Sequence, residues 1–104
     1  MPLFAVVYRA GPKWKAGVPM ENQGLRDHFF YLRGLSEKDV IVVAGPLGAD
    51  GGLVILRAQD ERAAAQVVAA DPAVIANLFV GEVKPFSPRI GGTEPLATAN
   101  SPAK

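Results

Sequence analysis

His28 is the only histidine of the chain. Its imidazole is the one side chain whose ordinary pKa lies near neutrality, so it can give or take a proton under mild conditions. It stands in an otherwise apolar series. Leu25, His28, Phe29, Leu32 and Leu35 recur at steps of three and four, which is one face of an α-helix. This spacing predicts an imidazole turned toward the sheet that the helix covers. A lone histidine on such a face also reads as a satisfied core or edge residue, so its neighbours decide. Gly45-Pro46, within Ala44-Gly45-Pro46-Leu47, presents backbone with little side-chain bulk, suited to close approach of a ligand; it reads equally as a strand terminator. Asp71 directly precedes Pro72 and reads locally as the N-cap of a following turn. Tyr8 and Arg9, at the end of the first strand, could bind an anionic or phenolic group.

The same inventory narrows the chemistry. With no cysteine, disulfides, thiolate nucleophiles and cysteine-based metal sites are excluded, and a single histidine makes a zinc site a poor reading. Gly11, Gly17 and Gly24 match no phosphate-cradling spacing. Ser36, Ser87 and Ser101 stand in no nucleophile elbow. The expectation is proton transfer without metal or cofactor. Eleven Lys and Arg against ten Asp and Glu leave a net charge of +1, which argues against nucleic acid or an anionic membrane as partner. Lys13-Trp14-Lys15, beside Arg9, reads as a solvated loop. The first residues lack the basic and long apolar regions of a signal peptide. The apolar runs fall well short of the ~20 residues a membrane span needs. A soluble, cytoplasmic protein is expected.

These groups need a scaffold. The chain has 104 residues, 49% hydrophobic and 20% charged, which suits one globular domain with a modest core. Leu3 to Arg9 is β-branched and aromatic and predicts a strand. Gly11, Pro12, Gly17 and Pro19 mark a loop, and a helix is expected from about Glu21 to Leu35. Asp39 to Ala44 predicts a second strand, halted by Gly45-Pro46. Asp50-Gly51-Gly52 signals a hairpin into a third strand, Leu53 to Ala58. Asp60 is a suitable N-cap for a helix over Glu61 to Ala70, which Asp71-Pro72 ends. Pro72 opens a short helical turn, and Phe79 to Phe86 predicts the last strand.

The order β-α-β-β-α-β is that of an α+β, ferredoxin-like fold, four antiparallel strands with two helices on one face. Leu3, Ala5 and Val7 oppose Phe4, Val6 and Tyr8 on the first strand, and both sets are largely apolar. A sheet with one wet face would alternate apolar with polar. A homodimer packed through its sheet faces is therefore expected. Beyond residue 86 the composition turns to Gly, Pro, Ser and Thr. Residues 87–104 are expected to form a tail lying across a neighbouring subunit, with Ile90 and Leu96 as anchors.

An inward histidine on the first helix, Ala44-Gly45-Pro46-Leu47 followed by Asp50-Gly51, Ala70-Asp71-Pro72 closing an alanine-rich helix, and Lys84-Pro85-Phe86 ending the last strand occur in this order. Together they resemble the YCII-related (YciI-like) family over about residues 3–86. The resemblance implies a dimeric α+β barrel and a signature histidine and aspartate, matched here by His28 and Asp71. It also implies an enzyme, with relatives acting on intermediates of aromatic degradation. The long loop carrying Trp14 and the tail depart from the family's shorter pattern.

The function expected on this basis is general acid–base catalysis of isomerase or lyase type on a small cyclic or aromatic metabolite. His28 would move the proton and Asp71 would orient the imidazole or stabilise its charged form, with Tyr8, Arg9, Gly45 and Pro46 binding the substrate. The alternative is a non-catalytic dimeric module that binds a small molecule for regulation, since fold by itself does not separate the two.

Overall fold

The computed structural model describes residues 1–91. Four strands, β1 (Leu3–Ala10), β2 (Ile41–Leu47), β3 (Gly51–Arg57) and β4 (Phe79–Phe86), form one antiparallel sheet in the order β2-β3-β1-β4. Helix α1 (Arg26–Glu37) joins β1 to β2. Helices α2 (Glu61–Ala69) and α3 (Pro72–Ile75) join β3 to β4. This is the ferredoxin-like α+β arrangement. Phe4, Val6, Tyr8, Val54 and Leu56 face the helices and form the core with Ala64, Val68, Ala73 and Phe79. No helix among the described residues is long and apolar enough to cross a membrane.

The local signals explain the second half well. Asp60 accepts the Ala63 N–H at 2.8 Å and starts α2. Asp71 accepts the Ala73 N–H at 2.8 Å, and Pro72 occupies the first turn of α3. The predicted bounds of β4 hold at both ends.

Several expected boundaries move by a residue or more, two of them for a reason visible in the packing. Helix α1 begins at Arg26, not Glu21, and a separate 3-10 turn spans Met20–Asn22. Gly24 sits at φ +81°, a left-handed conformation that ends one helical turn before the next begins. Gln23, 1% exposed, accepts the Lys15 N–H and donates to the Lys15 and Val18 carbonyls, all within 2.9 Å. The buried amide thus folds the loop back on itself and takes its own residue out of α1. Strand β2 runs through Gly45-Pro46 to Leu47 instead of stopping there. It lies at the sheet edge, where one side of the strand needs no ladder partner, so the missing N–H of Pro46 is tolerated.

On the face of the sheet away from the helices, Ala5, Val7 and Leu53 are half-buried, while Val43 and Leu47 are exposed. Of the two expected tail anchors, Ile90 is exposed and Leu96 lies outside the described residues.

Candidate active site

His28 lies in the first turns of α1, and Asp71 caps α3, 43 positions later. The fold brings them into contact. His28 Nδ1 stands 2.7 Å from Asp71 Oδ2 and 2.9 Å from Oδ1. Asp71 is fully buried, and the His28 side chain retains 14% of its exposure. Every other contact on the carboxylate comes from a donor: Oδ1 accepts the Ala73 N–H, and Oδ2 accepts the Tyr8 hydroxyl at 3.1 Å. A carboxylate only accepts, so Nδ1 carries the hydrogen and the lone pair of neutral His28 resides on Nε2. Nε2 has no hydrogen-bond partner among the described residues and is not sealed from solvent; the one buried side-chain nitrogen or oxygen left unpartnered there is Arg57 Nε.

Aromatic rings hold the imidazole. Tyr8 meets it edge-on at 5.4 Å between centroids, and Phe79 does so at the same distance. Trp14, from the loop that Gln23 secures, stacks on Phe79 at 5.2 Å. The Tyr8 phenol is held well above its ordinary pKa, first by burial and then by the negative charge and hydrogen bond of Asp71. Burial, followed by the same charge, also raises Tyr31.

His28 opens on a cleft of about 930 Å³ between α1 and the β2–β3 side of the sheet. Its walls are mainly apolar, including Leu25, Phe29, Leu32, Ile41 and Val54. A concave, mainly apolar cavity of this size suits a small-molecule ligand. No group of three or more His, Cys, Asp or Glu side chains among the described residues is placed to hold a metal ion.

Of the residues singled out in the sequence, His28, Tyr8, Gly45 and Pro46 all line the cleft, with Asp71 behind His28. The hydroxyl of Tyr8 is engaged by Asp71. Arg9 is not brought to the site. Strand alternation sends it to the opposite face from Tyr8, and it is exposed. The cationic side chains at the cleft wall are instead Arg26 and Arg33 of α1. Phe29, expected to face the core, is 59% exposed and borders the cleft, because it lies about 100° around the helix from His28. Phe79 and Trp14 were legible only as a strand start and a loop residue, since the ring contacts that matter are all long-range.

The YCII-related domain model matches residues 3–87. No curated protein matches the chain. Among solved structures, a similar fold is that of 5-chloro-2-hydroxyhydroquinone dehydrochlorinase (TftG) from Burkholderia phenoliruptrix AC1100, in complex with 2,5-dihydroxybenzoquinone. The two share 23% identity at a TM-score of 0.62, covering 81% of this chain and 93% of that one.

Proposed function

The chain belongs to the YCII-related family, and from that premise we propose that it is a general acid–base enzyme of isomerase or lyase type, acting on a small cyclic or aromatic metabolite. The observation that carries this reading is the contact of His28 Nδ1 with buried Asp71 while Nε2 stays open to solvent beside an apolar cleft. His28 Nε2 accepts a proton from a hydroxyl or an acidic C–H of the ring. The electron pair of the broken bond moves into the ring system. In an isomerisation the imidazolium returns the proton to another atom. In an elimination a leaving group departs with its own bonding pair, and the imidazolium releases its proton to that group or to water. Asp71 holds the imidazole in the Nδ1–H tautomer and offsets the positive charge that develops on it. The dehydrochlorinase activity and quinone ligand of the structural neighbour support a hydroxylated ring as the substrate class. Two copies meet through the sheet face that carries Val43 and Leu47.

The test is a turnover screen of wild type, His28→Ala and Asp71→Asn over hydroxylated and chlorinated aromatic rings, lactones and enols. Wild type should turn over at least one class, His28→Ala should lose about 10²–10⁴-fold, and Asp71→Asn should lose activity in the same direction. Equal rates in all three would remove the acid–base proposal. Saturable binding without turnover would favour a small-molecule-binding module in the same cleft.

A further inference from the structure

Asp71 receives donors from three elements at once: His28 of α1, Tyr8 of β1 and the Ala73 N–H of its own helix α3. Tyr8 is the least expected of these, because a buried strand tyrosine needs only one partner of any kind. Its surroundings show how its direction is set. In the sheet register Tyr8 is flanked by Gly52 on β3 and Gly81 on β4. A Cβ at Gly81 would stand 3.2 Å from Tyr8 Cε1, and one at Gly52 would stand 3.7 Å from Cδ2. The ring lies in a trough between two glycines, and its hydroxyl is delivered to the carboxylate that holds His28.

We propose that Tyr8 is a positioning residue, the third member of a Tyr8–Asp71–His28 relay, whose hydroxyl sets how strongly Asp71 acts on the imidazole. This rests on the acid–base reading of His28 given above. The phenol stays protonated across the working range, since burial and the Asp71 charge both oppose its ionisation, so it donates at every pH that matters. One hydrogen bond from Tyr8 draws charge from Oδ2, the same oxygen that lies nearest Nδ1. Removing it leaves more of the carboxylate's charge facing His28. The other titratable groups in the neighbourhood are Tyr31, whose hydroxyl donates to the Val67 carbonyl, and Glu21, Arg26 and Arg33 at the cleft wall.

Because His28 is the sole histidine, its ring titration can be followed without ambiguity by NMR in the full chain and needs no substrate. Tyr8→Phe should raise the His28 midpoint by about half a pH unit or more. The same substitution in an Asp71→Asn background should leave the midpoint unmoved. A shift below about 0.1 unit, or an equal shift in both backgrounds, overturns the proposal. Should Tyr8→Phe fail to fold, Tyr31→Phe leaves Tyr8 as the single tyrosine of a chain that has two. Carbon-13 at its Cζ should then report an inflection at the His28 midpoint, and a flat signal overturns the proposal. A His28 that responds to Tyr8 in a protein without turnover sinks the catalytic reading and leaves the relay intact.

Discussion

Gly81 on β4 lies directly against Val68 of α2: a Cβ added there would stand 2.6 Å from Val68 Cγ1. Val68 is buried, and a β-branched side chain in a helix has one strongly preferred rotamer, so it cannot swing aside cheaply. On the same glycine rests the ring of Tyr8, which bonds Asp71. Helix packing and site geometry therefore meet at one residue without a side chain.

Gly81→Ala should accordingly destabilise the protein by about 1–3 kcal/mol, the usual range for overpacking a filled core. Urea unfolding read by circular dichroism measures it. An unchanged midpoint would show that α2 can shift to accept the methyl group.

Asp60 and Asp71 both cap helices, and their removal should cost different amounts. Asp60→Ala loses one hydrogen bond, to the Ala63 N–H, at an exposed site, for about 1 kcal/mol. Asp71→Ala also leaves the Tyr8 hydroxyl and His28 Nδ1–H without their acceptor, for roughly 3 kcal/mol. Parallel denaturation of the two variants checks this. Equal losses would reduce Asp71 to an ordinary cap.

Stability should fall at alkaline pH. The Tyr8 pKa is raised on folding above its ordinary value of 10.0. Its contribution is then fully present below pH 10.0 and is lost above it, where the unfolded chain gives up a proton that the folded chain keeps. Tyr31 acts in the same direction. Urea midpoints across the alkaline range should decline in wild type, and Tyr8→Phe should flatten that decline. An identical slope in both would oppose the assignment.

The sheet face away from the helices provides a test of assembly. Exposed Val43 and Leu47 sit beside Ala5, Val7 and Leu53 on it. At micromolar concentration, sedimentation should give twice the 11.0 kDa chain mass. Val43→Glu should shift the protein toward the single-chain species, because a carboxylate buried without a partner is costly. A wild type that sediments only as single chains would remove the dimer.

What could be read from the sequence was local. The Asp60 cap and the Asp71-Pro72 junction both depend on residues within four positions of one another, where side-chain type acts directly on the backbone. The resemblance to the YCII-related family paired His28 with Asp71; periodicity by itself placed only the histidine. Other features required the folded chain. Gln23 reads as an ordinary polar residue, yet its buried amide holds the preceding loop and delays the start of the expected helix. Gly45-Pro46 stops a strand by local rules, and only the edge position of β2 lets the strand continue. Arg9 and Tyr8 are neighbours in sequence, but which of them meets the cleft depends on the face that the helices choose to cover. The distance from Nδ1 to Oδ2 spans 43 positions of chain. Such contacts are fixed by how sheet and helices pack, and no short window of residues carries that information.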